Sequence, residues 1–418
     1  MELFNKSQIE KDIKELPSGI LNILLDAAIS VNITSIAIVG GVVRDLITKS
    51  KNKDYAIVFN DLDLIIEGET STYVEELQRI LGVERVKVIR NNNTYKTSEV
   101  IIDNLKIDIA TARTETYPIP GENPIVELST IKKDLIRRDF NINAMAIELK
   151  DNKLLDLFSG ADGIENMTMD FLHDSSVLED PTRIIRASRY SAKLGFHLSN
   201  QALKQIEETI NFWPWDWNIG DNPDLAPAAL SIRLKMELEL LLKNNYWKNA
   251  LNNLQDYGGL KLLDSKLHND PRLVEKILAA KNSNIEPLTA LIYESKDPIS
   301  LAKRLHLTHQ QKEIIKGAAQ LKKYLSKIAV ENLYKNWSPS KWTTVLEELN
   351  ANESSFILEI CRENPLKEYL SSWLYNWKDI ESPIKGADLI AKGWAPGPWV
   401  GIEVKRQRMK LIDEKIIS

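Results

Sequence analysis

Residues 35–45 read SIAIVGGVVRD: a short apolar run, Ser35–Val39, then Gly40-Gly41, then a segment from about Val43 whose apolar positions recur with helical spacing. That order is a strand, a tight turn and a helix. Upstream, Leu16–Ser30 has the period of an amphipathic helix; downstream, Asp61–Glu67 and Leu105–Ala110 alternate like strands, with a helix expected from about Thr72 to Leu81. The first part of the chain is therefore mixed α/β. From Pro181 the pattern turns to long helical stretches: Pro181–Leu194, Ala226–Leu242, Pro271–Ala280, Pro298–Leu305, His309–Lys327 and Ser340–Leu349. The expected fold is α+β, a small mixed α/β head followed by an elongated, mostly α-helical remainder. The boundary is expected near Asp156–Glu165, where Gly160, Asp162 and Gly163 interrupt the pattern.

The 418 residues are enough for about two to four domains. Charged residues at 27% and hydrophobic residues at 43% exclude a disordered chain. The N-terminus is charged with no apolar signal core, and the longest apolar runs are too short to span a bilayer, so a cytosolic protein without membrane contact is expected. The single cysteine, Cys361, excludes an internal disulfide and a cysteine-based metal site, and is expected in the core. The five histidines lack ligand spacing, which gives zinc or triad chemistry no support.

With a net charge of -5, any surface that tracks a polyanion has to be local. Two segments qualify: Ile131–Phe140, with Lys132, Lys133, Arg137 and Arg138, and the run Lys405, Arg406, Arg408 and Lys410. The second reads equally well as a solvated helix face. The tryptophans of FWPWDWN, Trp213, Trp215 and Trp217, read first as the packing of a helix junction and second as a stacking platform.

In Asp61-Leu62-Asp63-Leu64-Ile65-Ile66, strand alternation projects both aspartates to one face while Leu62, Leu64 and Ile66 face the core. Side-by-side carboxylates repel unless cations neutralise them, so the pair suits hard divalent ions such as Mg²⁺ and the in-line transfer of a phosphoryl group. A lone pair of this kind is also compatible with a solvated strand face. The preceding Gly40-Gly41 tips the balance, because glycines let a phosphate approach the backbone where a helix N-terminus offers free N–H groups. Asp108, on a neighbouring strand with the same alternation, is either a third metal ligand or half of an ion pair.

The order GGVVRD (Gly40–Asp45), DLD (Asp61–Asp63), RRDFNINAMA (Arg137–Ala146) and EDPTRIIRASRYSAKLGF (Glu179–Phe196) resembles the class II tRNA nucleotidyltransferase and bacterial poly(A) polymerase family. The resemblance runs from about Ile36 to Phe196, and GADLIAKGWAPGPWVG (Gly386–Gly401) is similar to a weaker form of the family's tail signature. It implies a nucleotidyltransferase head at 1–158, a neck with the base-recognition motif at 159–270, a body at 271–375 and a tRNA-contacting tail at 376–418. It implies that Gly40, Gly41, Arg44 and Asp45 lie on the nucleotide, with Gly41 and Arg44 at its triphosphate. Asp61 and Asp63 would hold Mg²⁺. Arg138 and Asp139 would meet phosphate and ribose, and Asp180, Arg183, Arg186 and Arg189 would complete the pocket. The three arginines recur every third residue, a basic stripe on one helix.

The implied activity is template-independent addition or repair of the 3′-terminal CCA of tRNA from CTP and ATP, with pyrophosphate released. Cytosine and adenine share an exocyclic amine beside a ring-nitrogen acceptor, so one acceptor and one donor, Asp180 and Arg183, would fit both and reject uracil and guanine. The alternatives are a poly(A) polymerase, an enzyme adding only CC or only A, and a non-catalytic RNA-binding protein on the same scaffold. Three departures stand out: a long stretch between Arg44 and Asp61, Asn141 where the family usually has threonine, and a segment Thr114–Glu127 without the arginine-rich tip of the family's flexible loop.

Overall fold

The structure, a computed structural model, describes residues 4–57, 59–92, 95–282, 285–348 and 366–414. Cys361 lies outside the described residues. The chain divides into two units, Met1–Asn218 with Pro227–Leu262, and Ile219–Ala226 with Leu263–Ser418.

The first unit opens with α1 (Lys6–Asp12), α2 (Ile20–Ser30), β1 (Ile36–Val39), α3 (Gly41–Lys51), β2 (Leu62–Ile66) and α4 (Thr70–Leu81). Next come β3 (Val86–Asn92), β4 (Thr97–Ile102), β5 (Leu105–Thr111), a hairpin of β6 (Arg113–Thr116) and β7 (Ile125–Leu128), and α5 (Ile131–Ile136). β8 (Met145–Glu148), β9 (Leu154–Asp156) and α6 (Gly160–Glu165) follow. Seven strands form one sheet in the order β3-β4-β5-β2-β1-β8-β9, in which β2 and β5 run parallel and the other neighbours are antiparallel.

Alternation along the strands decides the layers. Leu62, Leu64 and Ile66 of β2, Ile107 and Ile109 of β5 and Val100 and Ile102 of β4 are buried on one face, where α4 packs on β3, β4 and β5. Each such side chain contributes about 1.5–3 kcal/mol. On the other face Ile65 joins Ala37, Val39, Ile131 and Leu135 in a second apolar layer, so α5 covers the far end of β2 but leaves its N-terminal end open. Asp61 and Asp63 stand at that open end.

Helices complete the unit: α7 (Ser176–Glu179), α8 (Thr182–Leu194), α9 (Asn200–Phe212), α10 (Ile232–Lys243) and α11 (Trp247–Asp256), with α8 packed on both α10 and α11. The expected interruption around Gly160 is instead the helix α6, pressed onto the segment before β8. A Cβ on Gly160 would lie 2.4 Å from the Asn141 carbonyl oxygen, so glycine serves close packing rather than a break. Trp215 and Trp217 are buried, Trp213 meets Trp215 edge-on at 5.0 Å, and the Trp215 Nε1–H donates to the Leu178 carbonyl at 3.1 Å. These tryptophans pack a junction.

The second unit is helical, with Leu273–Asn282, Pro287–Tyr293, Pro298–Arg304, His309–Val330, Pro339–Glu348 and Pro398–Glu414 as its main elements. Start signals match the sequence: Pro287 and Pro298 sit in first turns, and Thr308 with Gln311 forms a reciprocal capping box. Trp342 and Trp373 anchor its core. Among the described residues no helix is long and apolar enough to cross a membrane.

Candidate active site

Gly40 joins β1 to α3 with φ 73° and ψ -138°, a conformation open in practice only to glycine. A Cβ there would lie 2.9 Å from Asp63 Oδ2. The glycine therefore brings a bare helix N-terminus against the carboxylate, with no side chain capping the first N–H groups of α3. Arg44 and Asp45 lie beneath this turn. They pair with each other at 2.8 Å, and Arg44 Nη1 donates to Asn143 Oδ1 at 3.0 Å, so both are buried supports of the turn rather than walls of the cleft.

The acids form a row across three strands. Asp63 is in register with Asp108, and Asp108 with Glu99, which sequence reading did not single out. Burial, then the neighbouring Asp61, pushes the Asp63 carboxyl up to about 6. Burial raises Asp108 as well. Lys106 is the cation within this row, with Nζ 3.3 Å from Glu99, 3.6 Å from Asp108 and 3.8 Å from Asp61. Among the described residues no three His, Cys, Asp or Glu side chains are already drawn together as a metal cage. The donor set nonetheless fits a hard divalent ion: several carboxylate oxygens on one face, short of positive charge, one of them unwilling to ionise without a cation.

Two adjoining clefts share Asp63 and Arg138. The first, about 370 Å³, brings Gly40, Gly41 and Asp63 together with Arg138, Asp139, Asp180, Arg183 and Arg186, within the size of small-ligand sites. The second holds Asp108, Glu99 and Arg90. Arg44, Asp45 and Arg189 line neither.

The α8 arginines are unequal. Arg186 binds the buried Asp139 at 2.6 Å and Glu237 at 2.8 Å, and Arg189 binds Glu237 at 3.2 Å. Burial opposes the charge of Asp139, but Arg186 outweighs it and holds the carboxyl below its usual range. Arg183 is held through one nitrogen, Nη2, which donates to the Arg137 carbonyl at 3.1 Å, while its buried Nη1 has no hydrogen-bond partner. Arg138 Nε and Arg189 Nε are likewise buried without a hydrogen-bond partner, so spare donor capacity gathers on this side of the cleft. Asp180 beside Arg183 accepts from Thr182 N–H and Oγ1–H at 3.0 and 2.6 Å and pairs with Arg233 at 2.6 Å. Burial opposes its ionisation, yet Arg233 keeps its carboxyl low.

Sequence reading missed Glu99, Lys106, Glu115, Tyr117, Arg233 and Glu237. Glu115 and Tyr117 reach the first cleft from the hairpin, where Glu115 binds Arg113 at 2.8 Å and Arg137 at 3.0 Å. Arg233 and Glu237 come from α10, which carries no local signal of its role. At Asn141 the unusual side chain accepts the Asp170 N–H at 3.0 Å, a supporting contact away from the cleft. The basic run near the C-terminus is largely neutralised: Arg406 pairs with Glu403 at 2.8 Å, Arg408 with Glu347 at 2.6 Å and Lys410 with Glu414 at 3.6 Å.

Residues 36–170 match the family described as the poly A polymerase head domain. The chain is 34% identical over 247 residues to an A-adding tRNA nucleotidyltransferase of Aquifex aeolicus, covering 58% of this chain and 27% of that protein. It is 29% identical over 376 residues to a CC-adding tRNA nucleotidyltransferase of Deinococcus radiodurans, covering 88% of this chain and 82% of that protein. Among solved structures it is similar to an apo form of a CCA-adding enzyme, with TM-score 0.73 and 25% identity over 99% of this chain and 96% of the other. A CCA-adding enzyme with CTP aligns with TM-score 0.70 at 25% identity, over 99% and 96% of the two chains. Of the first curated relatives it matches, the chain spans only 22% to 48% of the length.

Proposed function

We propose that this chain, which belongs to the family of tRNA nucleotidyltransferases and bacterial poly(A) polymerases, builds or repairs the 3′-terminal CCA of tRNA from CTP and ATP without a template. The observation that carries the reading is the unpartnered Arg183 Nη1, buried beside Asp180 in the same cleft as Gly40, Gly41 and Asp63. A base-reading donor and a phosphoryl-transfer site share one cavity.

Nucleotidyltransferases of this family use a divalent metal, which we assign as two Mg²⁺ ions. Asp61 and Asp63 would hold them, with Asp108 alongside, and they would supply Lewis acidity and neutralise charge as the RNA 3′-hydroxyl attacks the α-phosphate. The Gly40-Gly41 turn admits the triphosphate to the N–H groups of α3, and Arg138, whose Nη1 would lie 3.9 Å from a Cβ on Gly40, stands beside that turn to meet it. Arg183 and Asp180 address the base edge, a donor and an acceptor matched to cytosine and adenine. Uracil or guanine would leave these buried groups facing like partners, which costs about 1–3 kcal/mol per mismatch. The tail from Gly386 is assigned to tRNA, and the protein to the cytoplasm with that substrate.

A second reading, addition of CC alone, is favoured by one observation: of two relatives that align along about nine tenths of this chain, the CC-adding one is 29% identical and the CCA-adding one 25%. The test for both is one set of reactions, with tRNA transcripts ending before the CCA, after C and after CC, each given CTP or ATP and sized on a gel. Extension of all three supports full CCA addition. A product that stops at CC supports the second reading, and no Mg²⁺-dependent extension of any transcript overturns both.

A further inference from the structure

We propose that Lys106 is a built-in counter-cation of the carboxylate row, retained by Glu99 and displaced from Asp61 and Asp108 when a divalent ion enters. The inference rests on the metal reading given above. Lys106 precedes Asp108 by two residues on β5, so alternation puts both side chains on the open face. Its Nζ lies 3.3 Å from Glu99 Oε1, 3.6 Å from Asp108 Oδ2 and 3.8 Å from Asp61 Oδ2, an ammonium among three carboxylates. An ion that is to share Asp61 and Asp108 needs the place this ammonium holds.

Glu99 gives the lysine somewhere to stay. It is the nearest of the three acids and is separate from the Asp61–Asp63 pair, and its strand register sets it directly beside Asp108. Without Glu99 the ammonium would have only the metal's own ligands to rest on. Arg90 stands in register with Glu99 from β3, and Arg138 lines the cleft beside Asp63, so Lys106 alone among these cations touches the row at Asp61 and Asp108. Free protein would therefore bind divalent ions more weakly than its acids imply.

The test is Mn²⁺ binding to the full chain without nucleotide or RNA, read from the electron paramagnetic resonance of free Mn²⁺. Lys106→Met is expected to tighten binding about threefold to tenfold, the scale of a half-exposed charge, while Lys106→Arg stays near wild type. Glu99→Gln should weaken binding in the wild-type background and change nothing in the Lys106→Met background. The inference is overturned if Lys106→Met binds no tighter, if Lys106→Arg matches Lys106→Met, or if Glu99→Gln weakens binding equally in both backgrounds, which would make Glu99 a ligand. Asp63→Asn separates the two levels. If it leaves Mn²⁺ binding unchanged, the metal reading itself fails; if it weakens binding while Lys106→Met changes nothing, only the role of Lys106 is lost.

Discussion

Two charged rows border the same clefts and are balanced in opposite ways. On the sheet, Asp61, Asp108 and Glu99 share one lysine, and burial pushes Asp63 up to about 6 even with Arg138 nearby. On α8, Arg186 and Arg189 are ion-paired with Asp139 and Glu237, while Arg183, which lines the first cleft, keeps a buried Nη1 without a hydrogen-bond partner. Residue type alone does not mark the ligand sites. They lie where the chain leaves charge or hydrogen-bonding capacity unmatched: an excess of carboxylate that asks for cations, and guanidinium donors that ask for acceptors.

The comparison breaks most visibly at its acidic end. Asp61→Ala or Asp63→Ala should lower nucleotide incorporation at least about a thousandfold, since neither remaining aspartate can hold two ions. Thermal melts should stay cooperative, because Asp63 lines the clefts and the Asp61 side chain is partly exposed, so neither belongs to the apolar core. Activity within about tenfold of wild type in either variant would remove the metal assignment.

Arg186→Ala should act on stability first. It strips the partner from buried Asp139 and opens one side of Glu237, a loss of about 3 kcal/mol in denaturant unfolding. Unchanged stability with lost nucleotide affinity would move Arg186 from the matched arginines to the ligand-binding ones.

The raised Asp63 carboxyl gives a pH signature in metal-free protein. Its folded value of about 6 exceeds the ordinary 3.8, so the native state holds the proton more tightly than the unfolded state. That stability is present below pH about 4 and is lost as pH rises through about 6. Asp63→Asn in chelator should therefore gain roughly 2–3 kcal/mol at pH 8 and nothing at pH 4. Equal effects at both ends would show that the folded protein does not hold this proton more tightly than the unfolded chain.

Much of this site was legible because its chemistry is carried by local patterns. Alternation in Asp61–Ile66 set both aspartates opposite a core of Leu62, Leu64 and Ile66, and the Gly40-Gly41 turn announced a bare helix start. What stayed hidden depends on partners distant in sequence. Glu99 joins the acids only because β4 lies against β5 in that register, and Arg233 reaches Asp180 from a helix about fifty residues away. Arg44 and Asp45 belong to the same motif as Gly41, yet their mutual pairing under the turn is set by burial, which a motif does not encode. The glycines of α6 read as a break because single glycines signal loops, whereas here they mark the approach of Asn141.

The finest test asks whether base choice can be damaged apart from chemistry. Arg183→Ala removes an unmatched donor without stripping a carboxylate of its ion-pair partner, so the penalty against uracil and guanine should shrink by about 1–3 kcal/mol, with some loss of affinity for all nucleotides. Asp180→Ala should shrink it from the other side, but it also leaves Arg233 without its partner, so a drop in stability should accompany the change. The measurement is incorporation of each of the four nucleotides, singly, onto tRNA ending in C, beside a denaturant melt of each variant. If Arg183→Ala lost activity on C and A while rejecting U and G as firmly as wild type, Arg183 would join Arg186 and Arg189 as a structural arginine. The unpartnered Nη1 would then mark a strained contact rather than a reader of bases, and discrimination would have to come from the other wall of the cleft, where Glu115 and Tyr117 stand.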